Sequence, residues 1–201
     1  MPNGYQQKIW ERLQRTELAA FFFFFVGYSY VCSYKGIVFV LTNPGLFQSG
    51  STAASFVKDA MAAFGGRVRL SGWHFVQTLY QVENKGNEAT YDIYEQSRKS
   101  GAFILTAHCH NYARSVPMAR LSESPLLSSS FQNNTIAEGQ TIVTVVGTGG
   151  ESLQSCNANR KDSNWWAKTG CVNTLNFGAL FCKFNYNGDP ATAYCYFKQI
   201  D

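Results

Sequence analysis

Histidine is scarce in this chain, with three residues among 201, and charge is thin, with Asp, Glu, Lys and Arg making up 15%. The net charge of +4 comes without a basic block, so nucleic-acid binding is not indicated. No Cys-x-x-Cys pair occurs, so a zinc ribbon is excluded. Gly147-Thr148-Gly149-Gly150 follows a strand-like run, but no Gly-Lys-Ser/Thr comes after it, which rules out a nucleotide P-loop. A membrane-spanning helix is disfavoured too, because Lys35 interrupts the apolar stretch around Phe21–Phe25 before the roughly 20 residues needed.

The residues that are abundant describe an ordinary core. Apolar side chains make up 45% of the chain and aromatic ones 15%, and the aromatics are scattered through strand-like segments as packing would scatter them. The length suits one domain. Of six cysteines, Cys156, Cys171, Cys182 and Cys195 crowd the final quarter. Two readings stand for them: disulfides, if the chain enters a secretory compartment, or buried free thiols. Asn133-Asn134-Thr135 is a glycosylation sequon that matters only in that same secreted setting.

Along the chain, Met1 to Arg15 reads as a short amphipathic helix with Ile9, Trp10 and Leu13 on one face. The phenylalanine run after it reads either as a signal-peptide core or as a loop leading into strand sequence at Tyr30; the second reading is favoured. Ile37–Leu41 is a continuous β-branched run and predicts a buried strand. Ala53, Phe56, Val57, Ala60, Met61 and Phe64 repeat at helical spacing, with Ser49 or Ser51 as cap and Gly65-Gly66 as stop. Strand sequence at Val68-Arg69-Leu70 leading to Trp73-His74, a polar loop from Gln81 to Glu88, a helix over Tyr91–Lys99 and a strand over Gly101–Thr106 follow. This βαβ rhythm predicts parallel strands, with chemistry at their carboxyl ends. Ser115–Gln132 reads as an irregular surface loop and Thr141–Val146 as a strand. Leu175–Phe184 and Ala191–Phe197 read as a hairpin. Trp165-Trp166 reads as packing, with a substrate platform as the lesser alternative.

The chain is organised around Gly101 to Ser115, an apolar run that ends in His108-Cys109-His110. Imidazole is the commonest metal ligand, and two at this spacing can serve one ion or two adjacent ones. By itself a bare His-x-His is more often a satisfied or surface pair. The third histidine, His74, follows Trp73 at the end of another predicted strand, so all three are expected to gather at the carboxyl ends of neighbouring strands.

The segment Ile104-Leu105-Thr106-Ala107-His108-Cys109-His110-Asn111-Tyr112-Ala113-Arg114 resembles the last metal-binding motif of the calcineurin-like metallophosphoesterases, the superfamily that includes the purple acid phosphatases. That motif is a strand, then Gly-His-x-His, then often Asn/Ser-Tyr-x-Arg; here Ala107 stands for the leading Gly. Trp73-His74 resembles the preceding histidine motif, and Val145-Val146-Gly147-Thr148-Gly149-Gly150 the Gly-rich turn that follows. The resemblance runs from about Tyr28 to the end. It implies an α/β fold of α+β layered type, an incomplete αββα sandwich with mixed sheets. It implies a single partial domain over 1–201, divided into an atypical N-terminal segment (1–35), a strand-helix-strand part with the histidines (36–150) and a C-terminal β-hairpin region (151–201). The implied reaction is metal-dependent hydrolysis of a phosphate ester. His74 and His108 would bind one metal and His110 the other, with Tyr112 and Arg114 orienting the loop and Cys109 packed and unligating. The ions would be Fe, Zn or Mn, since neutral imidazole does not choose among them.

The earlier family motifs Asp-x-His, Gly-Asp-x-x-Asp and Gly-Asn-His-Asp/Glu do not occur, and the lone Gly188-Asp189 lies out of order in a C-terminal turn. Without the bridging carboxylate nothing offsets the mutual repulsion of two divalent ions. The expectation is therefore a truncated or incomplete phosphoesterase with half a dinuclear site, inactive or very weak by itself. The alternative is a catalytically dead structural or interaction module derived from that fold. Either version predicts a protein partner over an open sheet edge, no nucleic acid, and a phosphate ester as substrate if the site is completed.

Overall fold

In the computed structural model, residues 29–45, 48–64, 68–128, 136 and 139–200 are described. The N-terminal helix, the phenylalanine run, the Gly65-Gly66 stop and the Asn133 sequon fall outside them. No described helix is long and apolar enough to cross a membrane.

The chain forms a mixed α/β fold around one seven-stranded sheet, in the order β1-β2-β3-β4-β8-β5-β9. β1 (Tyr30–Tyr34) and β2 (Ile37–Leu41) pair antiparallel across the turn at Lys35-Gly36, both with positive φ. β2, β3 (Val68–Trp73), β4 (Phe103–Thr106) and β8 (Val143–Val146) then run parallel. β5 (Tyr112–Ser115) returns antiparallel to β8, and β9 (Trp166–Gly170) pairs antiparallel with β5. The apolar runs form strands because β-branched side chains fit a surface buried on one or both faces. The turn after β2 and the polar break after β3 each lead into a crossover helix.

Those helices are α1 (Gly50–Ala63) and α2 (Tyr91–Lys99), and they pack on each other. Ser49 caps α1 by accepting from the Thr52 N–H, one of the orphan donors of a first helical turn. Ala53, Val57, Ala60 and Met61 of α1 meet Ile93 and Tyr94 of α2, together with Val38, Val40, Ile104 and Val143 of the sheet, in the main core. Phe56 and Phe64, which the helical spacing placed in the core, are only half-buried and pack along its edge. α1 is turned so that its small residues, rather than its phenylalanines, face inward. Gly50 explains part of that choice, since a Cβ there would run into the Thr90 side chain.

The segment expected to be an irregular surface loop is more ordered than its Ser and Pro content suggested. β6 (Met118–Arg120) and β7 (Leu126–Leu127) form a small antiparallel pair, and Met118 and Leu121 are fully buried. Met118 also exchanges backbone hydrogen bonds with Thr141, which ties the pair to the approach to β8. Trp165 packs against the main core, and Trp166 packs against a second cluster that includes Val76, Cys109, Ala113 and Val145. The tryptophan pair is thus packing.

A short helix, α3 (Ala158–Lys161), precedes β9. The C-terminal hairpin of β10 (Gly178–Phe184) and β11 (Ala193–Gln199) forms as its sequence predicts. Disulfides join Cys156 to Cys171 and Cys182 to Cys195, which decides the cysteine alternatives for these four and suits an oxidising compartment. Cys32 and Cys109 stay free. Beyond the large sheet the described residues form only two-stranded sheets, so a second full sheet of an αββα sandwich is not among them.

Candidate functional site

β3 and β4 lie side by side and parallel, so the residues that follow them emerge at the same edge. His74 comes directly after β3. Ala107 comes directly after β4, and its N–H donates to the His74 carbonyl at 3.3 Å, pinning the two strand ends together. His108 then takes a left-handed backbone, φ +51, a sparsely populated conformation for a residue with a side chain. That bend throws its ring back across the strand end. His108 Nδ1 comes to 3.0 Å from His74 Nε2, although the two residues are 34 apart in sequence. On its other side His108 Nε2 lies 3.1 Å from Glu88 Oε1. The Phe75 ring flanks both imidazoles, with centroids 5.0 Å from His74 and 5.1 Å from His108.

His110 belongs to the same neighbourhood but not to the same chain of bonds. Its backbone N–H donates to Glu83 Oε2 at 3.0 Å, and its ring Nδ1 lies 3.0 Å from the Ser152 carbonyl. A carbonyl only accepts, so Nδ1 carries a proton. The His110 carbonyl accepts from Gln154 at 2.9 Å, and the Gln154 carbonyl from Val172 at 3.1 Å. The loop from Gly147 to Asn157 therefore clasps His110 from outside, and the Cys156–Cys171 disulfide closes that clasp. At its root Gly147 lies so close to the chain that a Cβ would strike the Cys109 carbonyl.

Burial sets the electrostatics. Desolvation lowers the pKa of His74, the neighbouring His108 lowers it further, and the negative charge of Glu88 opposes both. Cys109 is fully buried, its thiol is pushed up to about 12 by desolvation and by the Glu83 charge, and it reaches Gln81 Oε1 at 3.5 Å. Its side chain packs in the buried cluster with Val76, Ala113 and Val145.

Tyr112 and Arg114 sit two residues apart on β5, the strand that follows the histidine motif. Tyr112 is buried against Phe197, with centroids 4.7 Å apart, and its hydroxyl interacts with Arg114. The tyrosine braces that strand against the C-terminal hairpin. Glu83 and Glu88 are the residues contacting the histidine motif that sequence reading missed, taken as part of a polar loop. The signal was available: the loop follows the carboxyl end of the strand that delivers His74, where chemistry concentrates in a parallel sheet.

Two imidazole nitrogens 3.0 Å apart suit neighbouring ligands of one ion with bonds of about 2.0–2.1 Å once the proton between them is displaced. Among the described residues, however, no three His, Cys, Asp or Glu side chains converge on one cation-sized point. The residues fit a pair of ligands and do not fit a dinuclear centre.

No family model matches the sequence, and no curated protein matches it. Among solved structures the fold is similar to one described as "Structure of PhoD", with a TM-score of 0.44 and 8% identity over 84% of this chain. This chain spans 40% of that one.

Proposed function

We propose that this chain carries the histidine half of a metal-dependent phosphoric ester hydrolase site of the calcineurin-like metallophosphoesterase kind. The observation that carries the reading is the meeting of His74 and His108, ring nitrogen to ring nitrogen at 3.0 Å, at the carboxyl ends of adjacent parallel strands. The motif around His108 and His110 supplies the chemical class. In that class a divalent or trivalent ion, Fe, Zn or Mn, supplies an acidified water and offsets the charge that develops on the phosphoryl group. This chain's own part is to hold His74 and His108 as one pair, to keep His110 beside them under the Gly147–Asn157 loop, and to keep Cys109 protonated and out of the way. Tyr112 and Arg114 would keep the loop aligned through β5. The seven-stranded sheet with its helices would be one part of an incomplete αββα sandwich. A protein partner over an open sheet edge would complete the fold.

A second reading is favoured by a specific observation. His108 has both ring nitrogens engaged, by His74 and by Glu88, and among the described residues no third donor converges. That arrangement also suits a catalytically dead module in which the histidines are structural.

Calorimetric titration with Zn²⁺ separates the two. The hydrolase reading expects one weakly bound ion per chain, lost in His108→Ala. It also expects p-nitrophenyl phosphate turnover no faster than that variant's, because the second ion has no carboxylate to bridge to. Absence of Zn²⁺ binding supports the module. Strong metal-dependent turnover by this chain overturns the half-site.

A further inference from the structure

The geometry points to Glu88 as the positioning residue of the histidine pair, the group that decides which nitrogen of His108 is presented to His74. That the presented nitrogen serves a metal rests on the function proposed above; the order of protons along the string does not.

The argument is one of donors and acceptors. An ionised carboxylate only accepts, so the 3.1 Å contact to Glu88 Oε1 requires His108 Nε2 to be the donor. In the neutral ring this is the one proton carried, which leaves His108 Nδ1 bare. The 3.0 Å contact between His108 Nδ1 and His74 Nε2 then requires His74 Nε2 to donate. The string has one direction, from His74 through His108 to Glu88, and it ends at a group that cannot pass it on.

Glu88 is held for this task. Its N–H donates to the Val76 carbonyl at 3.0 Å, and the next N–H, of Ala89, donates to the same carbonyl at 3.1 Å. That doubly bonded carbonyl sits two residues beyond His74, so Glu88 is registered to the β3 end directly. On its other flank Gly45, with φ +104, approaches so closely that any Cβ would strike the Glu88 carbonyl. The second carboxylate oxygen, Oε2, is buried with no hydrogen-bond partner among the described residues, so the side chain is anchored through Oε1 and its bond to His108. The left-handed bend at His108 gives the ring a reason to need such a tie. A side chain on a strained backbone is aimed only as well as its neighbours hold it.

A merely structural Glu88 would contribute stability and leave the tautomer alone, and the two cases separate in metal-free protein. In long-range ¹H–¹⁵N spectra of the uniformly labelled chain, whose three histidines are assigned by single substitutions, His108 should be the Nε2–H tautomer with an unprotonated Nδ1. Glu88→Gln should preserve it, since the amide oxygen still accepts. Glu88→Ala should convert it to a mixture of both tautomers. With Zn²⁺ alone as probe, Glu88→Ala should weaken binding about 10–100-fold and Glu88→Gln should recover most of the loss. An Nδ1–H His108 in the wild type, or a tautomer unchanged in Glu88→Ala, overturns the assignment. If Glu88→Ala does not fold, the wild-type and Gln spectra still decide. An Nε2–H tautomer that depends on Glu88, in a chain that binds no Zn²⁺ at all, supports the positioning role and sinks the hydrolase reading instead.

Discussion

Gly147→Ala places one methyl group where the Gly147–Asn157 loop leaves β8 and presses on the backbone of the histidine motif. The new Cβ would overlap the Cys109 carbonyl, and backbone cannot swing aside as a side-chain end can. The Gly147 N–H is also committed to the Asn111 carbonyl at 3.1 Å, which blocks relief by sliding the loop. Overpacking against fixed atoms costs about 1–3 kcal/mol. Replacing glycine stiffens the unfolded chain and returns about 0.4–1 kcal/mol. A net loss of about 1 kcal/mol lowers Tm by about 2–4 °C in a domain of this size. Gly149→Ala, two residues on, is the matched control: a Cβ there meets nothing within 4 Å. Its melt should equal or slightly exceed the wild type, by calorimetry and by urea titration. The Gly147 variant should also shift the ring resonances of His108 and His110, since its clash falls between them. Equal melting of the two alanine variants would refute the claim that backbone proximity, rather than loop flexibility, is why Gly147 is glycine.

Ile93→Ala, at a fully buried site between α2 and the sheet, should cost about 2–5 kcal/mol by denaturant titration, and Phe56→Ala, at a half-buried site, clearly less. Serine at both Cys156 and Cys171, which close a loop of sequence separation 15, should cost about 3 kcal/mol and loosen the His110 ring; an unchanged melt would remove the clasp from the account. Desolvation raises the Glu95 carboxyl, but its bonds from Arg98 and from the Leu121 N–H outweigh that and leave its pKa below the ordinary value. A depressed folded pKa means stabilisation that is present above an unfolded value of about 4.3 and lost as pH falls through the folded one. Stability of Glu95→Gln should therefore fall less steeply than wild type on acidification below that value, and parallel curves would refute the pairing.

Strands and helices were legible where period and composition agreed. Ile37–Leu41 and Tyr91–Lys99 appear in the structure with the bounds the sequence predicts, because an unbroken β-branched run and a polar helical repeat have few rivals. α1 was legible as a helix but not in its rotation: small residues and phenylalanines share its repeat, and only packing against α2 selects the side that turns inward. Ser115–Gln132 misled because Ser and Pro signal turns, while the buried Met118 is held by Thr141, over twenty residues away. At the site, the His74–His108 pair follows from adjacent parallel strands. Glu88 does not, since its placement depends on a loop held by Val76 and Gly45, and no periodicity describes a loop.

The C-terminal hairpin has a mechanical consequence. Cys182 and Cys195 face each other directly across β10 and β11, so everything from Lys183 to Tyr194 lies in a closed ring. The ring is attached to the body through the mutual bonds of Thr148 and Gly178 and through the contact of Phe197 with Tyr112. A protease that cuts in the exposed turn around Asn187 and Asp189 therefore frees no fragment. The nicked chain migrates as one molecule until a reductant is added, and then parts at a single junction. Limited digestion with and without reductant reads that covalent topology without perturbing the histidines.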